Sequence, residues 1–235
     1  MTRYVYNKYL WAELEAVGDY NSFGNWVHIY RNILPAFAKL LKRRIDNDLQ
    51  NVIVVEGRTG SGKSTFAIDL ALTLDKYWRI EDNYIYDVSD LQAKLVADKP
   101  SPISLFDEGS ISLNSKNAMK GEDKMMVALF DTMRSRHWTT IICIPDLGSL
   151  NKSIREYHVD FLCKCPTTAL IKGYDTRGFM EIYEHVYRSW GDPYYRIMGA
   201  TLYPKLTRTM SDKYNRIKRE HQDALIGKFI NMESE

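Results

Sequence analysis

The spacing of apolar and polar positions divides the chain into three zones. In the first, residues 1 to 50, Val27, Tyr30, Leu34, Phe37 and Leu41 recur at helical spacing. That spacing predicts an amphipathic helix kinked at Pro35 and closed by the basic run LLKRR. Such a segment reads as a helical appendage burying one face on the rest of the protein, with an oligomerisation or substrate-contacting arm as the alternative.

In the second zone, 51 to 175, the period changes. Short β-branched runs alternate with helical stretches, which predicts a parallel sheet. NVIVV is the first strand and KSTFAIDLALTLDKY the first helix. NYIYDV follows as a strand, and Ser89 with Gln92 forms a capping box opening DLQAKLVAD. PISLFDEGS is strand and turn, GEDKMMVALFDTMRSR a helix, WTTIICIP a strand, SLNKSIREY a helix and HVDFLCKC a strand. The third zone, 176 to 235, contains a hairpin turning at GYDTRG. It continues through an aromatic, proline-bearing crossing, SWGDPYYRIMGATLYPKL, into a last helix on which Tyr214, Ile217, His221 and Leu225 share a stripe.

Between the first strand and the first helix stands EGRTGSGKSTF. The spacing G-x-x-x-x-G-K-S runs from Gly57 through Arg58, Thr59, Gly60, Ser61 and Gly62 to Lys63 and Ser64, with Thr65 next. A strand before it and an apolar helix after it supply the context a phosphate-binding loop needs. Glycines let backbone N–H groups wrap a β-phosphate without Cβ clashes, Lys63 reaches the β/γ oxygens, and the Ser64 hydroxyl ligates Mg²⁺. ATP and Mg²⁺ are therefore the expected cofactors. The expected fold is α/β: a P-loop NTPase with a mainly parallel, RecA-like sheet flanked by helices, a helical N-terminal appendage and a C-terminal helix.

ISLFDEGS is the expected partner of that loop. Asp107 and Glu108 stand at the carboxyl end of an apolar strand, the edge where open α/β sheets bind ligands. Asp107 would hold the Mg²⁺ shell beside Ser64. Glu108, pointing elsewhere, would orient or deprotonate the attacking water. A glutamate directly after this aspartate suggests the ATPase branch with an extra strand between the phosphate-loop strand and the aspartate strand. WTTIICIP is the candidate, and Asp146 after Pro145 is the first polar side chain available as a γ-phosphate sensor.

On the helix before that strand, Met126, Leu129, Phe130 and Met133 make an apolar face. Arg134 and Arg136 follow at its exit. They can simply complement the helix dipole, worth about 0.3–1 kcal/mol. Alternatively, one is an arginine finger acting on a neighbouring subunit, worth about 10³- to 10⁵-fold in rate. Lying about 200° apart around the helix, they cannot both enter one site.

Composition narrows the setting. The chain of 235 residues is 45% apolar and carries a net charge of only +2, so no broad basic face announces nucleic acid. Phosphate contact would have to be local, and Lys116, Lys120 and Lys124, in the loop after the Asp107–Glu108 pair, are the candidates. Cys143, Cys163 and Cys165 lie in apolar strand-like runs without zinc spacing and read as reduced core residues. With no secretory segment and no run long enough to span a membrane, a cytoplasmic location is expected.

The sequence GxxxxGKS, then LFDE, then LFDTMRSR before an apolar strand resembles the genome-packaging ATPases of small tailed phages. RHWTTIICIPDLGSLNKSIRE is similar to the zonula-occludens-toxin-like ATPases of filamentous phages, and more distantly to FtsK and HerA translocases. The likeness covers about residues 52 to 160. It implies a homo-oligomeric ring that moves double-stranded DNA, docks on a viral portal or capsid vertex in the host cytoplasm, and takes its finger from Arg134 or Arg136. No glutamine follows the last strand of that run, as it would in HerA-like proteins. No carboxylate cluster of a terminase nuclease follows the core. Two other functions compete: a phosphate-loop kinase of a small molecule, with Arg134 and Arg136 as a lid within the same subunit, and an assembly or secretion ATPase that drives protein.

Overall fold

The computed structural model describes residues 33–86, 90, 93–94, 102–107, 128, 130–133, 137–165, 178–187 and 194–232, the side chains of 202 and 224–232 excepted. Seven strands form one sheet: β1 (Asn51–Glu56), β2 (Tyr84–Ile85), β3 (Ile103–Phe106), β4 (Thr139–Ile144), β5 (Phe161–Lys164), β6 (Phe179–Val186) and β7 (Tyr194–Leu202). The helices are α1 (Leu34–Asp46), α2 (Lys63–Leu74), α3 (Ile80–Asn83), α4 (Lys152–Tyr157) and α5 (Arg208–Met232).

The strand order is β2-β3-β4-β1-β5-β6-β7. The first five strands are parallel, and β6 and β7 extend the sheet antiparallel. As expected, the strand of WTTIICIP lies between the other two: β4 pairs with β1 from Asn51↔Thr139 to Glu56↔Ile144 and with β3 from Ile103↔Thr139 to Phe106↔Ile142. The reason is legible in the side chains. Every residue of β3 and β4 is buried, so neither strand has a solvated face and both need helices above and below.

Alternate residues of β1 serve opposite cores. Ile53 and Val55 pack with Leu34, Phe37, Phe66, Leu70, Ile80 and Ile217, the α1, α2, α3 and α5 side. Val52 and Val54 pack with Phe130, Met133, Leu150 and Ile154 on the other. Residues 130–133 are helical, and Phe130 and Met133 are buried as their spacing predicts; Met126 and Leu129 lie outside the described residues.

Two expectations are corrected. Pro35 sits in the first turn of α1, where its missing N–H has no intrahelical partner to lose, and α1 runs on from it to Asp46. The supposed crossing SWGDPYYRIMGATLYPKL contains a nine-residue strand, β7, paired along its length with β6. The antiparallel pairing of β5 with β6 agrees with the expected hairpin, whose turn at GYDTRG lies mostly outside the described residues, as do Val27, Tyr30, Ser89 and Gln92.

At the amino edge of the sheet a polar cluster ties α1 down. Arg44 donates to Asn51 Oδ1 (2.8 Å) and to Asp160 Oδ1 (2.5 Å), and Asp160 Oδ2 accepts the Val52 N–H (2.9 Å). Part of the basic LLKRR run is therefore structural. Among the described residues no helix is long and apolar enough to cross a membrane, and Cys143, Cys163 and Cys165 are free thiols buried in the core.

Candidate functional site

β1 ends at Glu56, and the chain turns over the carboxyl edge of the sheet. The Gly57 N–H donates to Ile144 O at the end of β4 (3.2 Å), and Glu56 O accepts the Cys165 N–H just past β5 (2.8 Å). The loop is thus pinned to both strands flanking β1. Ser61 N–H donates to Arg58 O (3.1 Å) and tightens the turn. Arg58, Thr59 and Gly60 form its exposed rim, and Thr65 lies in the first turn of α2. The first N–H groups of α2 have no intrahelical acceptors and are available to an anion at this end.

Two glycines are required by what surrounds them. Gly62 caps α2 at φ +95°, and a Cβ there would collide with the Tyr203 hydroxyl. A Cβ on Gly57 would lie 2.7 Å from Cys165 Cβ and 2.7 Å from Ser61 Oγ. Lys63 curls back over the loop, its ammonium donating to Gly57 O (2.7 Å) and Arg58 O (2.9 Å).

Asp107 follows the last residue of β3 and is only 3% exposed. Its Oδ1 accepts the Ser64 hydroxyl at 2.8 Å, so residues 43 positions apart meet as the spacing of motifs predicted. A hydroxyl and a buried carboxylate are the hard oxygen donors that suit Mg²⁺, which takes one or two protein ligands and completes its shell with water and phosphate oxygens.

Three residues of the C-terminal zone complete this site, and sequence reasoning gave none of them a role in it. The Tyr203 hydroxyl lies 3.2 Å from Gly62 O and 3.4 Å from Ser61 O, its ring edge-on to Phe66 at 5.4 Å. The Tyr214 hydroxyl donates to Asp107 Oδ2 at 2.5 Å, and the Lys218 ammonium stands 3.5 Å from the same oxygen. Burial, then the neighbouring Asp107 charge, pushes the Tyr214 phenol far up, so it stays protonated and donates. Burial also raises the Cys143 thiol, with Asp107 adding to the effect, which keeps that sulfur neutral beneath the site. The one sequence signal was the stripe on α5: Ile217 is buried on it, and His221 stacks against Tyr84 (5.4 Å) and Tyr86 (5.1 Å).

Asp146 is exposed, opening a 3₁₀ turn (Leu147–Ser149) in which its carbonyl accepts from the Ser149 N–H (3.0 Å) and hydroxyl (2.6 Å). Glu108, Arg134, Arg136, Lys116, Lys120 and Lys124 lie outside the described residues.

No protein-family profile matches the chain, and no curated protein matches it. Among solved structures it is similar to the genome packaging NTPase B204 from Sulfolobus turreted icosahedral virus 2 in complex with ATP-gammaS. The identity is 15% over 67% of this chain and 98% of that one, with a TM-score of 0.44. It is similar to the N-terminal domain of zonular occludens toxin from Neisseria meningitidis at 12% identity, over 70% and 98% of the two chains, with a TM-score of 0.41. The flagellar accessory protein FlaH from Methanocaldococcus jannaschii is similar at 15% identity over 70% and 84%, with a TM-score of 0.32. The P-loop NTPase fold itself rests on the strand order and the loop geometry.

Proposed function

We propose that this chain is an ATP-hydrolysing DNA translocase of the viral genome-packaging kind, working as a homo-oligomeric ring. The observation that carries the ATPase reading is the Ser64–Asp107 contact of 2.8 Å at the carboxyl edge of a sheet whose β4 is inserted between β1 and β3. In this reading the Ser64 hydroxyl and the Asp107 carboxylate would hold the Mg²⁺ that accompanies the triphosphate. Mg²⁺ bound there supplies charge neutralisation at the transferring phosphoryl group.

The chain's own residues have separable tasks in this reading. The phosphate loop from Gly57 to Thr65 binds and orients the triphosphate, with Lys63 leaving the loop carbonyls for the β/γ oxygens. Asp107 and Ser64 hold the metal, and Glu108 takes the proton of the attacking water. Arg134 or Arg136 completes a neighbour's site. The DNA half of the proposal rests on the resemblance of LFDTMRSR to packaging ATPases, with Lys116, Lys120 and Lys124 gripping phosphates.

The test is Mg²⁺-dependent ATPase activity of the assembled oligomer with and without duplex DNA, over a range of salt. Stimulation by duplex is expected, with a slope of log K against log salt of about −2 to −5, since each neutralised phosphate contributes about −0.9. Replacing Lys116, Lys120 and Lys124 together by alanine should flatten that slope and abolish stimulation. If duplex DNA neither binds at low salt nor changes the rate, the translocase reading fails and the protein-driving ATPase or small-molecule kinase readings take its place. If ATP is not hydrolysed at all, the ATPase reading fails with it.

A further inference from the structure

The carboxylate that pairs with the phosphate-loop serine is shared. One oxygen of Asp107 faces Ser64, and the other accepts the Tyr214 hydroxyl and lies 3.5 Å from the Lys218 ammonium. Tyr214 and Lys218 stand one helical turn apart on α5, with Lys218 Nζ 3.4 Å from the Tyr214 hydroxyl. The helix is held against the sheet independently of them. Ile217 is buried in the main core, Lys213 pairs with Glu81 at 2.9 Å, and His221 stacks on Tyr84 and Tyr86. The geometry is therefore that of a helix docked into the site.

We propose that α5 is a working part of the nucleotide site: Lys218 supplies a second cation to the terminal phosphate, and Tyr214 is a positioning residue that fixes the Asp107 carboxylate between them. The inference rests on the phosphate-loop reading above. The two side chains differ in what they can do. Tyr214 is a short, rigid donor on a mostly buried ring, and it holds one carboxylate oxygen while leaving the other toward Ser64. Lys218 is a point charge on a flexible stem, with its side chain 25% exposed.

With a nucleotide and its divalent metal bound, Asp107 and Ser64 would hold the metal, and the Asp107 charge that now faces the Lys218 ammonium would be neutralised. The triphosphate carries more negative charge than the metal and Lys63 together cancel. The triphosphate then offers Lys218 negative charge at the edge of the sheet where Asp107 stands. A diphosphate lacks the terminal group and carries one charge fewer, so Lys218 should discriminate between the two nucleotides.

The test is calorimetric binding of AMPPNP and of ADP, each with saturating MgCl₂, to the full chain and to its Lys218→Ala, Lys218→Arg and Tyr214→Phe variants. Because a charged hydrogen bond is lost, Lys218→Ala should weaken AMPPNP by about 10- to 100-fold and ADP by less than about threefold. Lys218→Arg, which keeps the charge, should preserve the wild-type preference. Tyr214→Phe keeps the ring, and in a separate titration of MgCl₂ at fixed AMPPNP it should raise the Mg²⁺ concentration needed for half-maximal nucleotide binding, without changing the preference at saturating MgCl₂; an unchanged Mg²⁺ requirement removes the positioning role of Tyr214. An unchanged preference in Lys218→Ala, whether both affinities move together or neither does, overturns the proposal. So does an equal loss in Lys218→Arg, or tighter AMPPNP binding in Lys218→Ala, which would make Lys218 only the displaced counter-ion of Asp107. If the wild-type chain binds neither nucleotide, it is the phosphate-loop reading that has failed.

Discussion

The contact between Gly62 and Tyr203 can be tested by a double-mutant cycle whose terms follow from the geometry. Gly62 sits at φ +95°, and an alanine there would meet two obstacles. The left-handed backbone costs a residue with a Cβ about 1–2 kcal/mol. Displacing the Tyr203 ring, packed on Phe66 and under the loop, costs about 1–3 kcal/mol more, as overpacking does. Gly62→Ala should therefore lower stability by about 2–5 kcal/mol. Tyr203→Phe removes the colliding oxygen and leaves ring carbons no nearer than 3.4 Å. By itself it loses the hydroxyl's contacts to Ser61 O, Gly62 O and the Cys165 thiol, about 0.5–1.5 kcal/mol. In that background Gly62→Ala should cost only the backbone part, giving a favourable coupling of about 1–3 kcal/mol. The assay is urea unfolding of all four proteins with linear extrapolation. Costs that add to within about 0.5 kcal/mol would show that the Tyr203 hydroxyl is not what excludes a side chain at Gly62, and the argument for the buttress would fall.

Other perturbations probe other parts of the molecule. Burial pushes the Asp69 carboxyl up from 3.8 to about 6, so the native state binds a proton that the unfolded chain has released, and stability falls as pH rises between those values. After discounting for solvent screening, Asp69→Asn should be more stable than wild type by about 1–2 kcal/mol at pH 7 and equal to it near pH 4; a difference independent of pH in urea titrations would refute this. Arg44→Ala removes the partner of the mostly buried Asp160 and should cost about 2–4 kcal/mol in the same assay, whereas a loss under 1 kcal/mol would make the pair ornamental. For the arginines, mixing Lys63→Ala with Arg134→Ala, and separately with Arg136→Ala, should restore part of the ATPase activity in one pairing, because an intact loop then meets an intact neighbouring finger. Recovery in neither would rule the finger out.

Local chemistry was open to reading from the residues alone. G-x-x-x-x-G-K-S is a backbone requirement written in residue types, and Gly60 and Gly62 do adopt the positive φ that it implies. Continuous apolar runs announced strands buried on both faces, and the Asp107–Glu108 pair pointed to β4 lying between β1 and β3, where it is found. β7 was not readable in this way. Tyr194–Leu202 has exposed aromatic and aliphatic positions, contains Gly199, and is a strand because β6 supplies its hydrogen-bonding partner. The site divides along the same line. Ser64 and Asp107 each belong to a short motif that carries its own meaning. Tyr203, Tyr214 and Lys218 belong to none, and the Tyr214–Asp107 bond spans 107 residues of chain. Helical periodicity says that Tyr214 turns inward, but it cannot say what lies opposite. Only the docking of α5 across the carboxyl edge of the sheet puts a phenol and an ammonium on the carboxylate that meets the phosphate loop.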